Sequence, residues 1–230
     1  MTLVLELTST RLFAYIGSSH ATSTALAIAL LGLGVGAAVR LRAPRWTAPR
    51  IAAPGLAAAL WCLAAAAIAG APLAVLVALS LATFACAGML VSDAYAARGS
   101  RVARSTYAID LAAAATGCVV TPRLLGPLSP TEIIAALGVL SCALAVIVVA
   151  DRRALAVIAA AHVGLLALGG ALPDGPMHVL LRSDPQSEKA IVESSAAPED
   201  ILDSAWSPLG RLDAHRTPGD PTRIGVFTDG

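Results

Sequence analysis

Charged and aromatic side chains are scarce in this chain. Of its 230 residues, 13% are charged and 4% are aromatic, whereas 57% are hydrophobic. About a quarter of the residues of an average soluble domain are charged, so the composition argues against an ordinary soluble globular protein. No basic run with interleaved aromatic residues occurs, and such runs are typical of nucleic-acid-binding surfaces. We therefore expect no nucleic-acid partner.

Cysteine patterns with a chemical use are also missing. The four cysteines fall in four different apolar stretches, and none stands in a CxxC or Cys/His spacing. Those spacings are the signatures of zinc sites and redox motifs. We interpret Cys62, Cys86, Cys118 and Cys142 as small hydrophobic residues within helices. The sequence predicts no metal site, no cofactor and no catalytic residue.

Long apolar stretches dominate the chain up to residue 172. A helix needs about 20 mostly apolar residues to cross the hydrocarbon core of a bilayer. The sequence therefore predicts a mainly α-helical, polytopic transmembrane bundle over residues 1–172, with about six full spans and the lipid bilayer as its partner. Residues 1–7 are interpreted as the second half of a further, partial helix at the amino terminus. The six predicted spans are residues 20–39, 51–70, 71–91, 106–125, 131–150 and 154–172.

The connections between these stretches alternate between arginine-rich and nearly uncharged. Arginines collect at residues 40–50, 93–104 and 151–153, whereas the alternating connections at 70–72 and 126–132 have almost no basic excess. Short arginine-rich loops are retained on the cytoplasmic side. All three basic loops lie on one face if every stretch crosses once. We expect a multi-pass cell-membrane protein with cytoplasmic basic loops.

Residues 173–230 form a polar tail of different character. The tail has 5 basic and 10 acidic residues, whereas the chain before it has 11 basic and 5 acidic residues. A short strand candidate lies at 190–193, and residues 211–216 and 222–227 alternate like two strands around a turn rich in Pro, Gly and Asp. A lone hairpin is marginally stable in water. We expect a linker and then the start of an incomplete small β domain.

The side of the membrane on which the tail lies is left open. If the basic loops are cytoplasmic and the chain crosses six times, the tail lies on the external face. A last stretch that enters the interface without crossing would instead leave it inside, and the glycines at 169 and 170 are compatible with such a course.

Three polar residues within the apolar stretches are candidate sites. A carboxylate at membrane depth costs on the order of 3 kcal/mol and usually faces the bundle interior or a water-filled cavity. Asp110 is therefore either a substrate or proton site or a hydrogen-bonding contact to a neighbouring helix. Arg123 is expected to extend towards the interface, and His162 is expected to pack between helices.

Two further patterns indicate packing rather than chemistry. Gly32 and Gly36 stand in GxxxG spacing, which allows two helices in lipid to approach closely. No strand precedes them, so a phosphate loop is not indicated. In the tail, Trp206 is followed by Ser207 and Pro208 and then by an alternating stretch. This order predicts an anchoring aromatic residue at the entry to the β domain.

Together these segments resemble the amino-terminal portion of the membrane-fused spermidine synthase-like proteins, a branch of the aminopropyltransferase family. The resemblance spans nearly the whole chain. It rests on LEL (5–7) with GLGVG (32–36), on YAIDLAAA (107–114) with TPRLLG (121–126), and on DS (203–204), SPLGRL (207–212) and FTDG (227–230).

The resemblance implies a membrane module without transferase activity. In that family a Rossmann-like domain follows, with a Gly-rich loop for the aminopropyl donor and an aspartate that assists amine attack, and this sequence contains neither. Some relatives place a substrate-contacting Gln where this chain has Gly210. A missing or separate Rossmann-like domain is the implied partner. The implied β-domain motif consists of Trp206, Ser207, Gly210, Arg211, Asp229 and Gly230.

Two other functions stay open at this point. The helices could form a transporter for polyamines or other small solutes, with Asp110, Arg123 and His162 along a polar path. They could also be a simple membrane anchor that localises a soluble domain. A homo-oligomer is compatible with each of the three.

Overall fold

The protein is described by a computed structural model over residues 1–16, 19–43, 49–96, 100–146, 152–171, 200–207, 210–217 and 220–228. Within these ranges it is mainly helical and ends in a small sheet, as predicted. The strand candidate at 190–193, and Asp229 and Gly230, lie outside the described residues. The elements are α1 (Thr2–Ile16), α2 (Ser19–Arg42), α3 (Pro49–Ile68), α4 (Leu73–Ala96), α5 (Ser100–Leu124), α6 (Pro130–Ala145), α7 (Arg152–Ala171), β1 (Ile201–Trp206), β2 (Arg211–Thr217) and β3 (Asp220–Thr228).

Successive helices alternate in direction through the bundle. Helices α2 and α4 lie side by side and run the same way, since Gly32 meets Phe84 near their middles and Arg40 pairs with Asp93 near their ends. Helix α3, which comes between them in the sequence, runs the opposite way and packs on α4 and α6. The start of α6 is fixed by a capping box, in which the Ser129 hydroxyl accepts from the Glu132 amide and the Glu132 carboxylate accepts from the Ser129 amide.

One end of the bundle collects the arginine-bearing helix ends. Ala53 near the start of α3, Ala145 at the end of α6 and Leu155 near the start of α7 pack together there, with Leu90 of α4 against them. We call this the arginine end. Helix α1 begins at the same end, where the Ser141 hydroxyl lies 3.4 Å from the Met1 sulfur. Its 15 residues extend about 22 Å, so its other terminus lies at the opposite end of the bundle.

Three helices, not six, are long and apolar enough by themselves to cross a membrane in the described parts of the chain. They are Ala21–Arg42, Arg50–Ile68 and Leu73–Ala96, and they correspond to the first three predicted spans. The apolar parts of α6 and α7, Pro130–Ala145 and Leu155–Ala167, fall short of about 20 residues. Helix α5 is long, but it carries charged residues within its predicted span. The count of six was therefore too high by this criterion.

The predicted hairpin is confirmed and is part of a larger sheet. Strands β2 and β3 pair antiparallel, and β1 adds to the other edge of β2, in the order β1-β2-β3. The Asp220 carboxylate accepts hydrogen bonds from the Thr222 hydroxyl at 2.6 Å and the Thr222 amide at 3.1 Å. These bonds lower the pKa of the Asp220 carboxyl.

The two faces of the sheet differ. Along β2, the side chains of Arg211, Asp213 and His215 are buried, whereas those of Leu212 and Arg216 are exposed. The buried face joins the helical core, because Trp206 belongs to the same apolar cluster as Leu5, Leu12 and other residues of the bundle. The sheet is thus packed on the helices and is not a detached hairpin.

Candidate functional site

A buried ion pair lies on the inner face of the sheet. Nε of Arg211 donates to Oδ1 of Asp213 at 2.7 Å, and both side chains have no exposed surface. Ser204 completes the arrangement from β1: its hydroxyl donates to the same Asp213 oxygen at 2.5 Å and accepts from Nη2 of Arg211 at 2.9 Å. Burying charges is costly unless they are paired and hydrogen-bonded. In this triad the condition is met at Nε and Nη2 of Arg211 and at Oδ1 of Asp213.

Two aromatic rings cover the guanidinium group. Cζ of Arg211 lies 5.0 Å from the ring centroid of Tyr15 and 5.7 Å from that of Trp206. The two rings meet edge to face, with centroids 5.3 Å apart. Such distances permit cation–π attraction, which is stronger away from water. Tyr15 lies near the end of α1, so these contacts join the sheet to the bundle. We call this set of residues the junction cluster; it consists of Tyr15, Ser204, Trp206, Arg211 and Asp213.

The rest of the inner face is filled by packing. The His215 ring stacks on Phe227 with centroids 4.4 Å apart, and its Nδ1 lies 2.7 Å from the carbonyl oxygen of Arg216. Gly225 leaves room for this ring, because a Cβ at that position would lie 2.7 Å from Nε2 of His215.

The chemistry available to the junction cluster follows from its contacts. Oδ1 of Asp213 accepts from both Arg211 and Ser204, so the carboxylate is engaged in structural bonds. Over the residues with described positions, no group of three His, Cys, Asp or Glu side chains is placed to hold a metal ion. The arrangement is suited to fixing the sheet in one orientation on α1.

The predicted β-domain motif takes part in this junction over its described residues. Ser207 and Gly210 form the tight connection between β1 and β2: the Ser207 amide donates to the Gly210 carbonyl at 2.8 Å, and the Gly210 amide donates back at 3.2 Å. This turn brings Trp206 opposite Arg211 in the register of the sheet. Asp229 and Gly230 of the motif lie outside the described residues.

Asp110 is placed on the exposed surface of α5. Its neighbour is Tyr95 of α4, whose hydroxyl lies 3.4 Å from Oδ2 of the carboxylate. This contact agrees with the second alternative, a hydrogen bond to a neighbouring helix. Asp110 does not lie in the bundle interior, because α5 packs mainly along α1 and leaves much of its surface uncovered.

The other two predicted polar sites lie apart from Asp110. Arg123 is exposed, and its Nη1 donates to the carbonyl oxygen of Val119, one turn back in the same helix. His162 is fully buried between α6 and α7, where its ring lies directly over Gly138 and its Nδ1 lies 2.8 Å from the Ile158 carbonyl oxygen. Among the contacts described above, Asp110, Arg123 and His162 have no partner in common.

Gly32 and Gly36 lie where α2 meets α4. A Cβ on Gly32 would lie 2.6 Å from Cβ of Phe84, and a Cβ on Gly36 would overlap the carbonyl oxygen of Ala85. From the other side, Gly88 of α4 faces the backbone of Leu33 with equally little space. The helix backbones are in contact along this line, which requires residues without side chains.

Sequence reasoning gave no role to Tyr15 or Asp213, and it named Ser204 only as part of the family resemblance. A usable signal existed for Asp213, because Arg211 and Asp213 are two residues apart in an alternating stretch and therefore lie on one face of a strand. No local signal pointed to Tyr15, which reaches the cluster from the opposite end of the chain.

In comparisons with protein-family models, with curated proteins and with solved structures, no match to this chain was found.

Proposed function

We propose that this protein is a multi-pass membrane module that holds a small β-sheet in a fixed position at one end of its helical bundle. The observation that carries the proposal is the junction cluster, in which a fully buried Arg211 is enclosed by Tyr15 of α1 and Trp206 of β1. A flexible tether would need no buried charge. A fixed orientation is useful when the sheet has to present a further domain at a set place relative to the membrane.

The apolar outer surface of the bundle supports a lipid environment. Leu30, Leu31 and Leu41 of α2 are 62%, 58% and 77% exposed, and Ile51 of α3 is 56% exposed. Soluble monomers rarely expose contiguous apolar patches larger than a few hundred Å². A bilayer would cover this surface without penalty.

The module is proposed to cross the membrane six times, with α1 as an additional partial helix. The alternating directions of α2 to α7 support this count, since each helix starts at the end of the bundle where the previous one stopped. The polar groups of α5 are then accommodated near the interface, where long side chains such as that of Arg123 can reach water.

The sheet is proposed to lie on the external side. Exposed arginines collect at the arginine end, as positive-inside topology requires of a cytoplasmic face; they are Arg42, Arg50, Arg104 and Arg153. Tyr15, and with it the sheet, lies at the opposite end of α1. An external sheet would be separated from nucleotide-derived aminopropyl donors, which are made inside the cell. This placement favours an anchoring role over transfer.

The family resemblance gives this module a more specific identity as a proposal. As the membrane portion of a spermidine synthase-like protein, it would position an aminopropyltransferase-like unit by its β-sheet. The purified chain is then expected to show no turnover of decarboxylated S-adenosylmethionine with putrescine. Measurable turnover would show that the chain itself is a transferase.

Membrane insertion and orientation are tested with fusions in cells. We expect the chain to stay with the membrane after an alkaline carbonate wash. A periplasm-active reporter fused after residue 228 should be active, and the same reporter inserted between residues 43 and 49 should be silent. Release by carbonate would reject the membrane assignment, and the reverse reporter pattern would reject the orientation.

The transport alternative has no specific support from the described contacts. A polar path would need Asp110, Arg123 and His162 along one passage, whereas Asp110 and Arg123 are exposed on α5 and His162 is buried against α6. Asp110→Asn is expected to leave polyamine uptake into vesicles unchanged.

A further inference from the structure

A small apolar cleft opens at the arginine end of the bundle. It has a volume of about 200 Å³ and is lined by side chains that include Ala53 and Leu56 of α3, Leu90 of α4 and Leu144 of α6. Ser141 is the polar residue of this lining, and its hydroxyl donates to the carbonyl oxygen of Leu137 at 2.7 Å. The hydroxyl proton is thus used within the helix.

Water is a poor occupant for such a cleft. Genuinely apolar cavities stay dry, and one of roughly 150 Å³ in an engineered protein core takes up benzene instead. Leu144, which is 54% exposed, places the mouth of the cleft on the outer surface of the bundle. For a bundle embedded in a bilayer, the fluid at that surface is lipid hydrocarbon. An acyl chain is therefore the occupant that matches the lining.

An arginine is located about one helical turn from a lining residue of the cleft. Arg50 lies on α3 three residues before Ala53, so the two residues share one face of the helix about one turn apart. Arg50 is exposed, and it takes part in none of the ion pairs between described residues. By contrast, Arg40 at the same end is held by Asp93, with Nη2 2.5 Å from Oδ1. Arg50 is thus a charge still open to an external anion.

We propose that the cleft and Arg50 together bind one anionic phospholipid, with an acyl chain in the cleft and the phosphate at the guanidinium group. The charge complements the phosphate, and the planar guanidinium group can donate two hydrogen bonds to it. This inference depends on the proposed membrane location. It gives the arginine end a specific contact with the cytoplasmic leaflet, where anionic lipids attract basic groups.

The experiment uses the full chain purified in a neutral detergent, after the carbonate wash has established its membrane insertion. Thermal unfolding is followed while dioctanoyl phosphatidylglycerol, dioctanoyl phosphatidylcholine or glycerol 3-phosphate is added. A ligand at 100 times its Kd should raise the melting temperature by about 5–10 °C. We expect this rise with phosphatidylglycerol and less than about a third of it with the other two compounds.

Variants separate the headgroup contact from the acyl-chain contact. Arg50→Gln should reduce the effect of phosphatidylglycerol to that of phosphatidylcholine, whereas Arg42→Gln, at an exposed arginine of α2, should keep the difference. Leu144→Trp should fill the mouth of the cleft and abolish the shift. Its control is Leu140→Trp, since Leu140 is 47% exposed on the same helix but does not line the cleft.

Several results would overturn the proposal while leaving membrane insertion intact. They are equal shifts with both phospholipids, a full shift with glycerol 3-phosphate alone, and a phosphatidylglycerol shift that survives Arg50→Gln. If Leu144→Trp does not fold, native mass spectrometry decides instead. Retention of one phosphatidylglycerol by the unmodified chain and none by Arg50→Gln supports the site, and equal retention rejects it.

Discussion

The ring of Trp206 meets that of Tyr15 at an interplanar angle of 61°, with centroids 5.3 Å apart. One ring belongs to the sheet and the other to the first helix, so this contact fixes the sheet on the bundle. The guanidinium group of Arg211 lies within 6 Å of both ring centroids. The two rings and the cation therefore act as one unit.

The coupling between the two rings can be measured with a double-mutant cycle. Tyr15→Leu and Trp206→Leu each remove one ring, and each is expected to destabilise the protein. Their effects should not add, and the coupling free energy should be about 1 kcal/mol. Thermal unfolding in detergent measures it. Pairing Tyr15→Leu with Trp61→Leu, at a partly exposed residue of α3, should give additive effects, and additivity for the Trp206 pair would reject the contact.

Loss of the buried cation should be the most damaging change in the sheet. Arg211→Met leaves the Asp213 carboxylate buried without its ion-pair partner, and breaking a buried pair in this way costs about 3–5 kcal/mol. Arg216→Met, on the exposed face of the same strand, should change the free energy of unfolding by less than about 0.5 kcal/mol. Limited proteolysis of the tail gives an independent reading, since a detached sheet is cut faster.

The double variant Arg211→Met/Asp213→Leu distinguishes the pair from simple packing. Replacing both charges of a buried pair by apolar side chains is often neutral, so most of the lost stability should return. If the double variant is as unstable as Arg211→Met, the buried carboxylate is not the cause of the damage.

The glycines of α2 provide a matched pair. Gly36→Ala places a methyl group on the carbonyl oxygen of Ala85 and should cost about 1–3 kcal/mol by forcing α2 and α4 apart. Gly34→Ala, two residues away, meets nothing within 4 Å. It should be neutral or slightly stabilising, because alanine favours helices more than glycine does. Equal effects of the two variants in thermal unfolding would contradict the contact between α2 and α4.

The packing of α7 on α6 can be tested in the same way. Gly138→Ala should clash with the His162 ring and destabilise the protein, whereas Gly164→Ala has open space and should not. Removing the ring makes room, so Gly138→Ala/His162→Ala should be more stable than the sum of the single effects predicts. Strict additivity would indicate that the ring does not lie over Gly138.

The sequence predicted one side of some of these contacts but not the other. The GxxxG spacing named Gly32 and Gly36 as a packing face, but nothing in it named Phe84, Ala85 or Gly88 as the partner surface. The alternation of residues 211–216 predicted β2, yet β1 was missed. The register of its pairing with β2 shifts between Ile201 and Asp203. Buried and exposed residues therefore do not alternate regularly along β1.

Asp110 shows a limit of arguments from membrane depth. The cost of a carboxylate in hydrocarbon predicted either a substrate or proton site in the bundle interior or a hydrogen bond to a neighbouring helix. The structure gives it the Tyr95 hydroxyl at 3.4 Å and otherwise an exposed position. Which faces of α5 are buried depends on how many other helices pack against it. The sequence of α5 alone does not determine this.

The sequence by itself determined that apolar helices separated by arginine-rich connections come first and that a hairpin follows, because both follow from local composition and periodicity. Only the tertiary structure decided that α2 runs beside α4 and that Arg211 is enclosed by Tyr15 and Trp206. These relationships join residues that are distant along the chain. They depend on which surfaces pack against each other and so become buried from solvent, and that is a property of the folded molecule.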